Sequence, residues 1–201
     1  MRMTRHRCEA DTCIPFATRS LHRADESEST RRRAPAAVAP DYALLAPIYD
    51  RLVGHAMLPA IREGFERCVQ SHGIGFRSAA DVGCGTGAFL AYLLRYRVPL
   101  YGVDRSPAML RFAAARLRGR GVRLLRQDIR RLALPRPVDL ITCTGDTLNY
   151  LADPGDFARA LGRLARNLNR GGHLIADLLT GIPPAGTRAQ RLAPSWLMPR
   201  S

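Results

Sequence analysis

A glycine-rich turn between a short apolar run and a helical pattern constrains this chain more than any other feature. Residues 79–87 read Ala-Ala-Asp-Val-Gly-Cys-Gly-Thr-Gly, which predicts a buried strand that runs straight into a turn. Glycines let the backbone adopt positive φ there and let a ligand approach without a Cβ in the way. The helical pattern opens at Ala88, and the first N–H groups of such a helix point at the same place.

An acidic residue ends the next predicted strand. The run Val98 to Val103 reads as a strand and is followed by Asp104. A carboxylate at that point can accept hydrogen bonds from both hydroxyls of a ribose. Two strands with a helix between them and this acid therefore predict a nucleoside-binding βαβ unit, which is more specific than the glycines alone.

The turn by itself leaves the kind of nucleotide open. A dinucleotide fingerprint can be aligned through Gly83, Gly85 and Ala88, so NAD is not excluded. Asp81 argues against NAD, because its carboxylate would repel a pyrophosphate but suits a ligand that carries an ammonium group. Asp128 follows a third predicted strand at about 122–126 and can accept from an exocyclic amine such as adenine N6.

The ordered series of these segments resembles the class I S-adenosylmethionine-dependent methyltransferases over about residues 42–180. Residues 81–87 are similar to the first motif of that family, and Asp104 is similar to its ribose-binding acid. Residues 127–129 resemble the adenine-binding step, residues 138–146 the fourth strand and its turn, and residues 170–175 the turn into the fifth strand. The segment 147–151 resembles bacterial small-molecule methyltransferases, including N-methylating members.

The resemblance implies S-adenosyl-L-methionine as cofactor and a small-molecule methyl acceptor that is methylated on nitrogen or oxygen. It implies cofactor contacts from the following residues: Tyr49, Asp81, Gly83, Cys84, Gly85, Gly87, Asp104, Arg105, Gln127, Asp128, Ile129, Thr144 and Gly145. Methyl transfer from a sulfonium is an in-line displacement with an activated leaving group, so positioning can supply most of the acceleration.

Three residues are candidates for a catalytic part, each with a structural alternative. Asp146 can orient the methionine end or deprotonate an acceptor, or it caps the following turn. Tyr49 can contact the methionine end, or it packs on the core. Asn149 can face the acceptor, or it is a turn residue.

Strands that alternate with helices predict an α/β fold, a Rossmann-like doubly wound and mainly parallel sheet of about five strands. We expect a helix that begins after Asp41 and continues to Val53, a second at about 57–69, and others that begin at Pro107 and near Pro154. We expect the fifth strand at 173–178.

Two segments fall outside this predicted domain at 41–180. Residues 1–40 read as a disordered Arg-rich tail or linker, and residues 181–201 as an irregular tail with proline and arginine. The sixth and seventh strands of the resembling family are not visible. We therefore expect either a truncated chain, which would leave a remnant that only binds the cofactor or a partner, or an open sheet edge covered by a homo-oligomer.

Composition gives little reason for a nucleic-acid or metal function. The net charge is +14, but all 31 basic residues are Arg with no Lys, as expected from a GC-rich coding sequence, and no aromatic platform accompanies them. Five cysteines without a C-x-x-C spacing predict neither a metal site nor disulfides, which suits the cytoplasm. An NAD-dependent oxidoreductase and a nucleic-acid-binding protein remain the alternatives.

Overall fold

Five short apolar runs form one parallel sheet. The computed structural model describes residues 42–178; the predicted tails, and any strand after β5, lie outside this range. The strands are β1 Ala79–Val82, β2 Leu100–Asp104, β3 Arg123–Arg126, β4 Val138–Cys143 and β5 Leu168–Ala176. Their order is β3-β2-β1-β4-β5, and each neighbouring pair is parallel. The predicted Rossmann-like α/β sheet is therefore confirmed.

The helices are amphipathic segments that cover both faces of this sheet. They are α1 Tyr42–Leu45, α2 His55–Ser71, α3 Ala88–Leu93, α4 Pro107–Arg116 and α5 Pro154–Arg166, with a π-helical turn at Asp50–Gly54 before α2. Ser106 caps α4 by accepting the Met109 N–H, and Pro107 occupies the first position, where its missing N–H costs nothing. Asp153 caps α5 in the same way through the Asp156 N–H.

Alternation along β1 divides the core into two halves. Ala79 packs with apolar side chains of α2, α3 and α4 on one face, among them Phe65 and Leu90. Ala80 packs on the other face with α5, through Ala160 and Leu164. Successive side chains of a strand point to opposite faces, so the central strand is buried on both sides, as the doubly wound arrangement requires.

The predicted continuous helix from Asp41 to Val53 is wrong. It breaks after Leu45, because Pro47 has no N–H to donate and disfavours the helical conformation at Ala46. The chain resumes in the π-helical turn, and the apolar side chains that suggested one helix remain outside: Leu44 is 76% exposed and Leu52 is 63% exposed.

The fifth strand also differs from the prediction. It begins at Leu168 and ends at Ala176, with a shift of register against β4 between Val138 and Leu140. The glycine pair that we expected to precede the strand lies inside it. A Cβ at Gly172 would lie only 3.0 Å from the Asp139 carbonyl oxygen, so this glycine permits the irregularity beside β4.

The chain reverses direction across the sheet at β1. From β1 it proceeds to β2 and β3 on one side, then returns to β4 and β5 on the other. Ligands of open parallel sheets bind at the carboxyl ends of the strands beside such a switch point. This position is where the turns that follow β1, β2 and β4 meet.

Candidate functional site

The glycine turn after β1 uses glycine for two different reasons. Gly83 has φ +82, and a Cβ there would lie less than 3.0 Å from three side-chain atoms of Thr147. Gly85 has φ +53 and only open space where a Cβ would be. Gly83 is therefore required by packing against the turn after β4, whereas Gly85 leaves its side of the turn accessible to a ligand. Gly87, with φ +76, is the residue before α3.

Asp104 joins the glycine turn to the start of α4. One carboxylate oxygen accepts the Gly85 N–H at 2.9 Å, and the other accepts the Ser106 N–H at 2.8 Å. Burial raises the pKa of Asp104, while these hydrogen bonds and Arg105 act in the opposite direction. A carboxylate has about four acceptor positions, so two remain after these bonds, as many as two ribose hydroxyls need.

Asp81 is a buried carboxylate at the end of β1. It is 3% exposed, and the Thr142 hydroxyl of β4 donates to it at 2.8 Å. Burial raises its pKa to about 7; the Thr142 hydrogen bond acts in the opposite direction, and the nearby Asp104 and Asp177 raise the pKa further. A cationic ligand beside Asp81 would favour its ionised form.

The turn after β4 is fixed by a residue that we did not predict. Asp177 follows β5 and accepts the N–H groups of Gly145 and Asp146 at 2.7 and 3.1 Å. Asp146 has φ +64, a conformation uncommon for residues other than glycine but tolerated best by Asp and Asn. An acid directly after a parallel strand was the signal that identified Asp104, and the same signal would have found Asp177.

Hydrogen bonds within this turn hold the candidate catalytic acid. The Asn149 side-chain amide donates to the Asp146 carboxylate at 3.0 Å, and the Asn149 N–H donates to the Asp146 carbonyl oxygen at 3.0 Å. The Thr144 carbonyl oxygen accepts the Thr147 hydroxyl at 3.0 Å. Asn149 is therefore a turn residue that orients the Asp146 carboxylate. This role of Asn149 is compatible with a catalytic role for Asp146.

Three tyrosines gather above the same turn. The rings of Tyr42 and Tyr49 have centroids 6.3 Å apart, and those of Tyr42 and Tyr150 are 6.1 Å apart, both edge to face. Burial raises the pKa of Tyr49 to about 12, and Tyr150, Asp104, Asp146 and Asp50 raise it further. Tyr49 is therefore a protonated phenol among carboxylates, suited to donate a hydrogen bond but not to act as a base.

The polar side chains after β3 have hydrogen-bond partners within the protein that the sequence did not suggest. Both oxygens of Asp128 accept from Arg130, four contacts in all between 2.5 and 3.1 Å, and this pairing lowers the pKa of Asp128. The Gln127 side chain bonds to both backbone groups of Ala133 at 2.9 Å. Ile129 packs on the core face beside α5, and exposed Arg105 lies close enough to lower the pKa of Asp128 as well.

The buried thiols of this region have a packing role. Cys84 and Cys143 are both buried. Burial raises the pKa of each thiol, and the nearby Asp81 raises both further. Because the thiolate is the reactive form, neither cysteine is suited to be a nucleophile.

A small cavity marks the centre of this region. Its volume is about 70 Å³, and it is lined by the glycine turn, the turn after β4 and the segment before α2. The residues predicted for the cofactor that line it are the following: Tyr49, Asp81, Gly83, Cys84, Gly85, Thr144 and Gly145. Carboxylates dominate its surroundings although the chain carries a net charge of +14, so the site favours a cationic ligand over a pyrophosphate.

Comparison with known proteins agrees with this geometry. The methyltransferase domain family matches residues 79–172, from the start of β1 into β5. The crystal structure of an S-adenosylmethionine-dependent methyltransferase from Clostridium acetobutylicum ATCC 824 superposes with a TM-score of 0.60 at 31% identity, covering 68% of this chain and 57% of that one. Residues 79–172 are therefore a domain of the S-adenosylmethionine-dependent methyltransferase type.

Two other methyltransferases to which this chain is similar are named for nitrogen acceptors. The dTDP-4-amino-2,3,4,6-tetradeoxy-D-glucose N,N-dimethyltransferase of Saccharopolyspora spinosa is 34% identical over 101 residues, which are 50% of this chain and 40% of that protein. The sugar N-methyltransferase KedS8 of Streptoalloteichus sp. ATCC 53650 has a TM-score of 0.53 at 31% identity, covering 79% of this chain and 60% of that one. The chain spans about half the length of the curated relatives it matches.

Residues 42–178 offer neither a cluster of metal ligands nor a membrane-spanning helix. No cluster of three or more His, Cys, Asp or Glu side chains there could hold a metal ion. None of the helices in that range has the length and apolar character to cross a membrane.

Proposed function

We propose that this protein transfers a methyl group from S-adenosylmethionine to a nitrogen or oxygen atom of a small molecule. The observation that carries the proposal is the Asp104 carboxylate, held between Gly85 and Ser106 at the open side of the glycine turn. Carboxylates around the same cavity suit a sulfonium and an ammonium group, which a dinucleotide lacks. The similarity to sugar N-methyltransferases supports a small acceptor.

The adenosine half of the cofactor fits the turns after β1, β2 and β3. The two remaining acceptor positions of Asp104 would take the ribose hydroxyls, and the accessible side of Gly85 would let the ribose approach. Ile129 and Arg105 would flank the adenine. Asp128 would accept its amine, in competition with the Arg130 guanidinium that already donates to both oxygens.

The methionine half fits the cavity between the glycine turn and the turn after β4. Asp81 would interact with the ammonium group, and the backbone of Thr144 and Gly145 would lie beside it. The ring of Tyr49 would lie near the sulfonium, since an aromatic face attracts a cation.

S-adenosylmethionine supplies a methyl group that is already activated on a sulfonium. The work of the protein is therefore to position the acceptor and to remove its proton. Asp146 is the candidate base that accepts this proton, because Asn149 fixes its carboxylate and because Tyr49 stays protonated. The acceptor would use its lone pair to form the new bond to carbon while the carbon–sulfur bond breaks, and its surplus proton would pass to Asp146.

The setting of the reaction is part of the same proposal. We assign the protein to the cytoplasm, with a small-molecule acceptor and neither a nucleic acid nor a membrane as partner. Strand β5 is one of the two edges of the described sheet, opposite β3, and we propose that a second copy of the chain covers it.

Calorimetric titration tests the cofactor assignment. The purified chain should bind S-adenosylmethionine and S-adenosylhomocysteine with one-to-one stoichiometry and should not bind NAD. Asp104→Asn should weaken binding about tenfold or more, because a charged acceptor of two hydroxyls is lost. Glu63→Gln is the matched control, since Glu63 is an exposed carboxylate paired with Arg67 on α2.

Two results would contradict the proposal. One is unchanged affinity in Asp104→Asn, and the other is a preference for NAD. Mass spectrometry of reactions with amine and hydroxyl acceptors then identifies the methylated atom, and Asp146→Asn should lower turnover more than it lowers cofactor affinity.

A further inference from the structure

Three residues from distant parts of the chain are joined beside the cofactor cavity. The Thr86 hydroxyl of the glycine turn donates to Asp50 at 2.5 Å, and the Arg116 guanidinium of α4 forms an ion pair with Asp50. Arg116 also donates to the Thr86 carbonyl oxygen at 2.9 Å and to its hydroxyl oxygen at 3.0 Å. We refer to Asp50, Thr86 and Arg116 as the Asp50 latch.

The latch tethers a segment in which Tyr49 packs against Ala108 and Met109 but the following turn has little apolar burial. Residues 49–54, which we call the strap, contain Tyr49 and the π-helical turn. None of the five residues of that turn is buried, and Leu52 is largely exposed. Apolar burial therefore contributes little to holding this turn of the strap in place, and the contacts of the Asp50 carboxylate become important for its position.

The strap restricts the cavity that the cofactor needs. Tyr49, Asp50, Val53 and Gly54 line one side of it, and the glycine turn lines the other. The volume of the cavity is about 70 Å³, whereas pockets that enclose a whole drug-sized ligand measure about 300–1,000 Å³. The strap therefore forms one wall of the part of the site that we assign to the methionine half of the cofactor.

The strap contains an irregular helical turn at its junction with α2. The His55 N–H donates to the Asp50 carbonyl oxygen, five residues earlier, as well as to Val53. A π-helical turn contains one residue more than an α-helical turn and is often found at functional sites. A return to α-helical spacing would rotate Asp50 relative to α2, and so would move it away from Thr86 and Arg116.

We propose that the Asp50 latch holds the strap over the methionine end of the cofactor site and controls how fast the cofactor enters and leaves. Asp50 and Arg116 are then positioning residues, which act through Tyr49 and the strap and not on the reacting atoms. The inference rests on the proposed function, since it concerns the same cofactor.

The exchange kinetics of S-adenosylhomocysteine test the latch. Asp50→Asn removes the charge of the side chain but keeps its size. It also leaves in place the hydrogen bonds from Arg116 of α4 to Thr86 of the glycine turn. We expect its dissociation rate constant, measured by surface plasmon resonance, to rise about fivefold, the effect of one partly exposed ion pair. Asp50→Glu should restore most of the wild-type rate. Arg111 is an exposed arginine on α4, the helix of Arg116, and Arg111→Gln should leave the rate unchanged.

Hydrogen exchange gives a second readout that needs no ligand. Amides of residues 50–58 should exchange faster in Asp50→Asn than in the wild-type chain, while those of β1 should not change. If the wild-type chain binds S-adenosylhomocysteine but Asp50→Asn shows neither faster dissociation nor faster exchange, the latch is overturned and the proposed function stands. If the wild-type chain binds no S-adenosylhomocysteine, the proposed function fails and the latch fails with it.

Discussion

Asp177 accepts the backbone N–H of Gly145 at 2.7 Å, although 32 positions separate the two residues. Its second oxygen accepts the Asp146 N–H at 3.1 Å, and the carboxylate is only 4% exposed. The residue that follows β5 therefore determines the backbone path of the turn after β4. That turn carries the acid that we assign to the acceptor.

The first prediction concerns this connection. Asp177→Ala leaves two backbone N–H groups without an acceptor, and each buried unsatisfied group costs about 1–3 kcal/mol. The midpoint of urea unfolding should fall, and the affinity for S-adenosylhomocysteine should fall with it because Gly145 lines the cavity. Asp177→Asn keeps one acceptor oxygen, so its urea midpoint and its affinity should lie between those of the wild-type chain and Asp177→Ala. An Asp177→Ala variant with wild-type affinity would show that the turn does not depend on Asp177.

The second prediction separates two glycines of one turn. Gly83→Ala combines an unfavourable φ with a clash against Thr147, so we expect a loss of about 2 kcal/mol or more of unfolding free energy. Gly85→Ala incurs the backbone cost alone, about 1 kcal/mol, because the space beside it is open. Urea unfolding measures both values.

Ligand affinity should rank Gly83→Ala and Gly85→Ala differently from stability. A methyl group at Gly85 projects into the space that we assign to the ribose, so Gly85→Ala should lose affinity for S-adenosylhomocysteine out of proportion to its small loss of stability. Wild-type affinity in Gly85→Ala would mean that no ligand approaches this side of the turn.

The third prediction follows from the buried carboxyl group of β1. The pKa of Asp81 is raised from 3.8 to about 7 by burial and by neighbouring carboxylates. Between these pH values the folded chain keeps a proton that the unfolded chain releases. The free energy of unfolding should therefore decrease as the pH rises through this window, by on the order of a few kcal/mol from Asp81.

Asp81→Asn provides the comparison for this pH dependence. Its amide stays neutral and can still accept from Thr142, so urea midpoints at pH 5 and pH 8 should differ less than in the wild-type chain. Acids with a lowered pKa, such as Asp50 and Asp128, titrate below this window. Equal pH dependence in both proteins would show that Asp81 is not the group responsible. A cationic ligand should reduce the wild-type dependence, because it favours ionised Asp81.

The sequence was most informative where a local rule applies. The apolar run, glycine turn and acid of β1 and β2 follow from neighbouring residues, and both strands and the intervening helix were predicted within a few residues. The Ser106 and Pro107 start of α4 is equally local. Pro47 is a local signal too, and its effect outweighs the helical spacing of Leu44 and Leu52, which are exposed.

The contacts that connect the parts of the site have no local signature. Asp50 meets Arg116 across 66 positions, and Arg116 meets Thr86 across 30. An aspartate and an arginine among 31 arginines do not indicate their partner until the topology places α4 beside the glycine turn. For the same reason the sequence predicts that Asp128 accepts from the adenine amine but does not predict that Asp128 pairs with Arg130.

The last prediction tests that proposal for Asp128. Three N–H groups of Arg130 donate to it, and its Nε–H is shared between both oxygens, so an adenine amine would compete with the guanidinium for the carboxylate. The probe is a pair of ligands, S-adenosylhomocysteine and its S-inosyl analogue, which has a carbonyl oxygen in place of the amine. The wild-type chain should prefer the adenosyl ligand about tenfold or more, because the carbonyl would face a carboxylate with no proton to share.

Two variants decide which residue recognises the amine. Asp128→Asn should lose most of the preference, because its amide can donate to the carbonyl oxygen. Arg130→Gln should keep the preference and bind the adenosyl ligand at least as tightly, because the carboxylate is no longer shared; its pairing with Asp156 on α5 is also lost, so stability is measured in parallel. A preference that survives in Asp128→Asn would assign adenine recognition to the backbone of residues 127–129 and leave Asp128 as the partner of Arg130.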